Sequence, residues 1–301
     1  MTAVRRWFEG QGFIEVETPL RVRAPGQEVH LDAFEAAGGR YLITSPEYHM
    51  KRLVAAGARR IYQITRAFRA GEVGAHHQPE FTILEWYRAE APLSTIADDC
   101  EALVGVAAQA TGGHPPAGAR PFLRTTVAEV MERHAGLRLR GDESASALAT
   151  LARQVGLDPG PSDAYDDVFF QIFLDRVEPA LAQGPPTFVF DWPLPLAALA
   201  RRNPARPQWA DRFELYANGL ELANAFGELT DPVEQRRRFV EESEIRRALG
   251  KVVYPLDEAL LAALSVMPPT SGVALGLDRL VMLVASRTNI SDVVAFPDDA
   301  I

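Results

Sequence analysis

The order of strand and helix patterns constrains this fold more than any other feature of the sequence. Two groups of short strand patterns flank a long stretch with helical periodicity at about 94–183. The strand patterns lie at 13–17, 41–44, 61–68, 80–88, 187–191, 213–216, 219–226 and 272–277. Short turns or the helical stretch join consecutive strands, whereas parallel strands need regular helical crossovers. The sequence therefore predicts an α+β fold, in which helices flank an antiparallel sheet and 94–183 is a helical insertion.

The composition restricts the class of protein. Apolar residues make up 47% of the 301 residues and charged residues 24%, which is typical of a folded globular chain. The net charge of −9 argues against a broad surface for binding nucleic acid. Cys100 is the single cysteine, which excludes an intrachain disulfide and a cysteine-based zinc site. The reducing cytoplasm is therefore the expected location.

One uncharged segment, 259–277, has the length of a membrane span. Pro268 and Pro269 lie in its middle and would break a helix that faces lipid. We therefore expect a helix end, a loop and a buried strand here, and no contact with a membrane. A further loop is predicted at 111–117, which is rich in glycine and proline.

A carboxylate and a phenol share one face of the strand predicted at 80–88. Because side chains alternate along a strand, Glu85 and Tyr87 point the same way as Phe81. A glutamate is rarely buried without a partner, so Glu85 is expected to meet a cationic group if the strand is central. If the strand instead lies at an edge of the sheet, Glu85 faces water and needs no functional explanation.

Arg69 ends the preceding strand pattern and leads into a loop that contains Gly71 and Glu72. A guanidinium pairs bidentately with phosphate oxygens, so this position suits a nucleotide phosphate, although most isolated arginines are simply solvated. His76 and His77 follow in the same loop. Adjacent side chains of a strand point to opposite faces, so these two histidines do not predict a zinc site.

Two carboxylates flank the tight turn at 217–219. A hairpin there brings Glu214 near Glu221, and paired carboxylates beside a phosphate site suit Mg²⁺. Simple alternation, however, places Glu221 on the opposite face from Asn224 and Glu228. Either the strand bends near Asn224 or one of these assignments is wrong.

The segment 272–279 predicts a strand that runs directly into a helix. Its small residues, including Ala274 and Gly276, allow a ligand to approach the backbone, and Arg279 lies in the first helical turn. Close packing between backbones would explain the glycines equally well, so the glycines alone are weak evidence.

In this order, the segments resemble the three signature motifs of class II aminoacyl-tRNA synthetases. Residues 13–19 are similar to the first motif, 68–81 to the second and 272–279 to the third. The resemblance is closer still to the lysyl branch, and within it to truncated paralogues that modify elongation factor P. The segments that carry this closer match are 44–53, 77–85, 212–231, 272–279 and Glu85-Trp86-Tyr87-Arg88.

The resemblance implies an ATP-dependent, AMP-forming ligase that uses Mg²⁺. Its substrate would be (R)-β-lysine or lysine, activated as an aminoacyl-adenylate and transferred to the ε-amino group of a lysine on elongation factor P. It also implies a homodimer. Lysyl-tRNA synthetases carry an N-terminal anticodon-binding domain, whereas this chain begins inside the helix of the first motif. We therefore expect a single catalytic domain over 1–301, without an anticodon-binding domain and without stable binding of tRNA.

The resemblance also assigns roles to the ATP-binding positions. Arg69 would hold the α-phosphate, Phe81 would stack on adenine and Arg279 would reach the γ-phosphate, so that the two arginines are the catalytic residues. The ATP-binding set implied in this way is Arg69, Ala70, Gly71, Glu72, His77, Gln78, Phe81, Glu221, Leu222, Gly276 and Arg279. Glu214 and Glu221 would hold Mg²⁺.

The amino-acid site follows from the same resemblance. Its implied residues are Ser45, Pro46, Glu47, Glu85, Tyr87, Asn224, Glu228 and Ala274. Glu85, Tyr87 and Glu228 would receive the side-chain ammonium group, and Asn224 would contact the carboxylate. Lysyl-tRNA synthetases typically have glycine where this chain has Ala274, which suggests a role for Ala274 in choosing between lysine isomers.

Two positions depart from the family pattern. Gly71 stands where the second motif usually has glutamate, so Glu72 or the backbone would recognise adenine instead. Gln78 replaces the usual asparagine and is one methylene longer.

Two other functions compete with the protein ligase. One is the charging of tRNA, and the other is a catalytically inactive paralogue that serves as a binding module. The joint presence of Arg69, Glu214, Glu221 and Arg279 argues against the inactive paralogue, because a site without chemistry has no use for four such charges.

Overall fold

The computed structural model of the chain describes residues 1–112 and 121–300. The strands are β1 (Ile14–Glu15), β2 (Arg21–Val22), β3 (Glu35–Ala36), β4 (Arg40–Leu42), β5 (Arg60–Phe68), β6 (Glu80–Ala89), β7 (Leu123–Thr126), β8 (Thr187–Pro193), β9 (Trp209–Ala217), β10 (Leu220–Gly227) and β11 (Thr270–Gly276). The helices are α1 (Thr2–Gly10), α2 (Glu47–Ala55), α3 (Leu93–Ala110), α4 (Val127–Val130), α5 (Ala145–Gln154), α6 (Tyr165–Ile172), α7 (Glu178–Ala182), α8 (Pro232–Ala248), α9 (Glu258–Leu264) and α10 (Leu277–Val284). Positions 113–117 of the loop predicted at 111–117 lie outside the described residues.

The central sheet has eight strands in the order β1-β5-β6-β11-β10-β9-β8-β7. The six inner strands are antiparallel, as predicted, and the α+β class is confirmed. The prediction of a purely antiparallel sheet is wrong at both edges, where β1 pairs parallel with β5 and β7 pairs parallel with β8. The chain between each parallel pair is long enough to return to the same end of the sheet, so the parallel pairing is geometrically possible.

Strand β7 lies inside the stretch that was predicted to be wholly helical. It has only four residues, and the side chains of Leu123 and Arg124 are exposed. Without alternating apolar and polar positions, such a strand has no signature in the sequence. Strands β2, β3 and β4 form a separate small sheet, of which only β4 was predicted.

The two faces of the central sheet have different coverings. On one face α1, α3 and α10 pack over a core that includes Phe8, Leu84, Trp86 and Cys100, each with no exposed surface. On the other face α2, α8 and α9 surround Tyr48, Tyr87 and Phe239. Successive residues of β6 therefore face opposite sides, and this arrangement turns Glu85 and Tyr87 away from the larger core.

The helical insertion has an apolar cluster of its own. Phe169 and Phe173 pack against Trp192 of β8, with ring centroids 5.6 and 5.4 Å apart, and Phe173 also meets Tyr216 of β9. The cluster thereby joins α4, α5 and α6 to the far end of the central sheet. The insertion is thus continuous with the sheet through buried aromatic contacts.

A β-bulge lies between Glu221 and Ala223. Glu221 pairs with Tyr216, whereas Ala223 pairs with the very next residue of β9, Leu215, so Leu222 is one residue in excess. An extra residue in one strand of a pair reverses the alternation beyond it. The bulge explains how Glu221 and Asn224 line the same cavity, so an irregularity of the strand, one of the two alternatives left open, resolves the conflict.

The uncharged segment 259–277 forms most of α9, a turn and β11, as the two prolines predicted. Among the residues that the structure describes, no helix combines the length and the apolar character that crossing a membrane would require.

Candidate active site

A cavity of about 340 Å³ lies over the face of β6, β11 and β10 that is opposite the larger core. It contains most of the residues that the sequence motifs single out. Those that line it are Ser45, Glu47, Arg69, Glu72, His77, Gln78, Phe81, Glu221, Leu222, Asn224, Ala274, Gly276 and Arg279. Segments far apart in the chain therefore meet in one space.

Seven of the predicted site residues do not line this cavity. They are Pro46, Ala70, Gly71, Glu85, Tyr87, Glu214 and Glu228. Glu85 accepts a hydrogen bond from the lining residue Ser45, whereas Glu228 is linked to the lining residue Glu47 through Lys51, as described below. Gly71 has a φ of +82°, which explains the glycine by backbone conformation.

The register of the sheet places a row of polar side chains across four strands. Glu85 of β6 is opposite Ala274 of β11, Ala274 is opposite Asn224 of β10, and Asn224 is opposite Glu214 of β9. Neighbouring strands are about 4.8 Å apart, so the row extends about 14 Å along one face. Ala274 is thus the small residue between a buried carboxylate and an amide at the floor of the cavity.

Glu85 is buried in a central strand, which excludes the alternative of an edge residue that faces water. The hydroxyl of Ser45 donates to Glu85 Oε1 at 2.5 Å, and the hydroxyl of Tyr87 donates to Oε2 at 3.2 Å. The cationic partner expected from the sequence is not found among the described residues. Burial, and then the negative charge of nearby Glu47, raise the pKa of Glu85 to about 8.

Lys51 is a buried cation at this site that the sequence motifs did not reveal. Its Nζ lies 2.5 Å from Glu47 Oε1 and 2.6 Å from Glu228 Oε2, and its side chain is 1% exposed. Burial alone would lower the pKa of Lys51, but Glu228 and Glu47 raise it overall, so the ammonium is charged. The sequence does contain a signal, because Glu47 and Lys51 are four residues apart at the start of α2.

A single ammonium shared between two carboxylates leaves one negative charge uncompensated. Burial, and the charge of Glu47, accordingly raise the pKa of Glu228 in spite of Lys51. A Cβ at Gly272 would lie 2.3 Å from Tyr87 and 2.5 Å from Glu228 Oε1, so only glycine leaves room for these two side chains. Close packing against these two side chains therefore explains Gly272.

Arg69 lies where the second-motif resemblance places it. Its guanidinium is 5.0 Å from the centroid of the Phe81 ring, and Nε donates to the carbonyl of Thr44 at 3.4 Å. Glu72 lies 3.7 Å from Arg69 and lines the cavity. Arg69, Phe81 and Glu72 thus form one wall of the cavity, with the guanidinium directed along it.

Arg279 also lines this cavity. Nη1 donates to the carbonyl of Glu221 at 2.8 Å, Nε donates to the carbonyl of His76 at 3.1 Å, and Nη2 lies 2.6 Å from His77 Nε2. Burial, and then Arg279, lower the pKa of His77, so its imidazole is neutral at pH 7. A Cβ at Gly276 would make only ordinary contacts at 3.5 Å, so the protein itself does not require glycine there.

Gln78 uses its extra methylene within the protein. Its Oε1 accepts a hydrogen bond from the backbone N–H of Asp298 at 2.8 Å and thereby links the second motif to the C-terminal segment. This departure from the family pattern thus has a structural explanation.

Glu214 and Glu221 are the two carboxylates that the resemblance assigns to Mg²⁺. Glu214 is buried and bonded to Arg212 and Tyr216, while Glu221 lines the cavity. Burial, and then the charge of Glu221, raise the pKa of Glu214 to about 7, whereas the paired Arg212 lowers it. The described residues contain no group of three ligands that would enclose a metal ion. The pair fits Mg²⁺, because this ion takes one or two carboxylates and completes its shell with phosphate and water.

Comparison with known proteins agrees with the geometry. Residues 1–300 match the family model described as "tRNA synthetases class II (D, K and N)". The chain is 40% identical to the elongation factor P–(R)-β-lysine ligase of Erwinia tasmaniensis, over 99% of this chain and 93% of that protein. It is also 40% identical to the ligases of the same name from Sodalis glossinidius and Vibrio cholerae, over 97% and 98% of this chain and 91% of each of those proteins. The match at nearly full length confirms the motif analysis, and the chain belongs to the class II tRNA synthetases of the D, K and N group.

Proposed function

We propose that this chain activates (R)-β-lysine with ATP and transfers it to the ε-amino group of a lysine on elongation factor P. The relatives named for this reaction support the proposal. The observation that carries the proposal is the row formed by Glu85, Ala274 and Asn224, which are opposite one another on neighbouring strands. This row offers a diamino acid a carboxylate for an ammonium group, a small residue at the floor and an amide for the substrate carboxylate. Arg69 lies on the same cavity, where an α-phosphate would meet the substrate carboxylate.

The first step joins the substrate carboxylate to the α-phosphorus of ATP. A carboxylate oxygen forms the new bond, the bond from the α-phosphorus to its bridging oxygen breaks, and pyrophosphate leaves with that electron pair. Arg69 and Arg279, which both line the cavity, stabilise the negative charge that spreads over the phosphate oxygens during transfer. When bound, Mg²⁺ held by Glu214 and Glu221 would neutralise phosphate charge and orient the leaving pyrophosphate.

The second step forms an amide. The deprotonated ε-amine of the acceptor lysine attacks the carbonyl carbon of the adenylate, the bond to the phosphate oxygen breaks, and AMP leaves. The remaining assignments are those that the resemblance implies, with Phe81 stacked on adenine and Glu72 or the backbone recognising the base. Ala70, Gly71, His77, Gln78, Leu222 and Gly276 complete the implied ATP-binding set. Ser45, Pro46 and Glu47 border the amino-acid site, and Tyr87 and Glu228 complete it behind Glu85.

The organisation of the molecule belongs to the same proposal. The chain acts as one catalytic domain over 1–301 with its insertion at about 94–183, in a cytoplasmic homodimer that binds elongation factor P and does not hold tRNA stably. The buried contacts between the insertion and the end of the sheet support a single domain.

The test follows transfer of labelled amino acid to protein and to tRNA. Purified chain, ATP, Mg²⁺ and labelled (R)-β-lysine are incubated with elongation factor P or with total tRNA. We expect a labelled protein whose modified lysine is identified by mass spectrometry, and no comparable acid-precipitable aminoacyl-tRNA. Charging of tRNA at a rate that matches protein labelling would overturn the proposal in favour of a tRNA synthetase. Absence of lysine-dependent pyrophosphate exchange would favour an inactive paralogue.

Ala274 is predicted to set the preference between lysine isomers. Its methyl group occupies the floor between Glu85 and Asn224, near the backbone end of the substrate. The amine of a β-amino acid is one carbon farther from the carboxylate and leaves that space free. A methyl-sized change is worth about 1–3 kcal/mol, or about 10- to 200-fold in discrimination. Ala274→Gly should therefore narrow or reverse a preference for (R)-β-lysine, mainly by improving α-lysine.

Pyrophosphate exchange with each isomer, by the native chain and by Ala274→Gly, measures this preference. An unchanged ratio between the isomers would remove Ala274 from the explanation of specificity. The control is Ala225→Gly, because Ala225 is a buried neighbour in β10 whose side chain belongs to the larger core and faces away from the cavity.

A further inference from the structure

Glu28 is a carboxylate of the cavity to which no motif and no step above gives a role. It lines the cavity, and its Oε2 atom is buried without a hydrogen-bond partner in the described chain. Burial, and then the negative charge of Glu47, raise the pKa of Glu28. A buried acceptor without a partner is costly, so its presence requires an explanation.

The backbone that carries Glu28 is held rigidly. Arg246 of α8, which has no exposed surface, donates from Nη1 to the carbonyl of Glu28 at 2.8 Å and to that of Leu31 at 2.9 Å. The neighbouring Gln27 is also fully buried, and Ser243 donates to its Oε1 at 3.0 Å. Because α8 fixes this loop, the Glu28 carboxylate is preorganised.

Gly26 makes room for that carboxylate. A Cβ at Gly26 would lie 2.4 Å from Glu28 Oε2 and 3.1 Å from the hydroxyl of Thr44. The carbonyl of Thr44 in turn accepts the hydrogen bond from Arg69 Nε. Glu28 therefore lies at the Arg69 end of the cavity, where the substrate carboxylate would meet the α-phosphate.

The amino-acid half of the cavity has more carboxylates than cations. The carboxylates are Glu28, Glu47, Glu85 and Glu228, and the cations are Lys51, Arg69 and Arg212, of which Arg212 is paired with Glu214. Lys51 is shared between Glu47 and Glu228, so it does not neutralise the other two acids. A diamino acid supplies two ammonium groups, one for each carboxylate that lacks a cation.

We propose that Glu28 binds the ammonium group of the substrate nearest to its carboxylate, while Glu85 receives the distal ammonium. Glu47 is less suited to the near ammonium, because Lys51 Nζ already lies 2.5 Å from its Oε1. Glu28 thus makes the site specific for diamino acids over monoamino acids of the same length. This inference rests on the proposed function and deepens it.

The test compares lysine with 6-aminohexanoate, which has the distal amine and the carboxylate but lacks the near amine. Glu28→Gln should lower kcat/KM for the preferred lysine isomer in pyrophosphate exchange by at least about tenfold, because a charged contact is lost. It should change the value for 6-aminohexanoate, measured as substrate or as competitive inhibitor, by less than about threefold, because that compound has no group at Glu28. The KM for ATP should stay nearly constant.

Two further variants strengthen the comparison. Gly26→Ala keeps the acid but displaces it, and should show the same selective loss even if Glu28→Gln fails to fold. Glu242→Gln is the control variant. The Glu242 carboxyl raises the pKa of Tyr48, a neighbour of Glu28, but Glu242 does not line this cavity. The kinetics with lysine should therefore be unchanged. Thermal unfolding checks the fold of each variant.

Equal losses for lysine and 6-aminohexanoate, or no loss for lysine, would overturn the role of Glu28 while leaving the proposed function intact. A native chain that activates neither lysine isomer would instead overturn the proposed function, and the role of Glu28 with it.

Discussion

Replacing Lys51 with methionine is expected to lower the free energy of unfolding by about 3–5 kcal/mol, which is the usual cost of removing one partner from a buried ion pair. The change would leave Glu47 and Glu228 facing each other without the ammonium that lies 2.5 and 2.6 Å from them. Chemical denaturation of the purified variant measures this loss. The double variant Lys51→Met with Glu228→Gln should recover part of it, because one of the two uncompensated charges is then absent.

The matched control for Lys51→Met is Lys251→Met, since these are the two lysines of the chain. The side chain of Lys251 is 29% exposed and contacts Asp32 at 3.0 Å, so its loss should cost no more than about 1 kcal/mol. If the two variants lose the same stability, the buried cluster around Lys51 does not carry the weight assigned to it.

Arg69→Ala is expected to slow lysine-dependent pyrophosphate exchange by about 10²- to 10³-fold, as for other groups that stabilise developing charge. The guanidinium is held along the cavity wall by the Thr44 carbonyl and the face of Phe81, so its position is fixed before the reaction begins. The fold should survive, because the arginine is only partly buried and forms no buried ion pair. The measurement is the exchange rate at saturating ATP and lysine.

Arg66→Ala provides the comparison for Arg69→Ala. Arg66 precedes Arg69 by three residues, is 49% exposed and contacts Glu80 at 3.5 Å on the surface. Its removal should leave the exchange rate within about twofold, as expected for an exposed pair of little energetic weight. A comparable decrease in both variants would point to a general effect of positive charge rather than to a phosphate contact at Arg69.

Much of the fold was predictable because the strands alternate regularly. Leu84 and Trp86 belong to the larger core, whereas Glu85 and Tyr87 face the opposite side, as alternation along β6 requires. Strand β7 was missed because a short exposed strand has no periodic signal. The parallel pairing at the two edges, β1 with β5 and β7 with β8, was not predicted because pairing direction at an edge depends on the path of long connections.

The site was predictable where motifs carry it and not where partners come from elsewhere in the chain. The cavity contains both Arg69 and Arg279, which the motif resemblance assigned to one nucleotide, and their phosphate contacts stay predictions. Within the described part of the chain the partners of Glu85 are hydroxyls, the buried lysine contacts Glu47 and Glu228 instead, and the substrate ammonium assigned to Glu85 stays a prediction. Such pairings depend on how α2 packs on the sheet, which local sequence does not encode.

The bulge at Leu222 shows how strand geometry corrects a conflict in the pattern. Glu221 and Asn224 have opposite parity in the sequence, yet both line the cavity. The sequence left two alternatives open here, a bend or a wrong assignment, and no single residue type distinguishes a bulged strand from a regular one.

The buried position of Cys100 has a practical consequence for labelling. Its thiol projects from α3 into the larger core, has no exposed surface, and has a pKa that burial raises well above its usual value. Since thiolates are the reactive form, a maleimide dye finds no good target on the native chain. A cysteine introduced at an exposed position such as Glu241 would then carry the only fluorophore, and distances in an assembled complex become measurable without first removing a natural thiol.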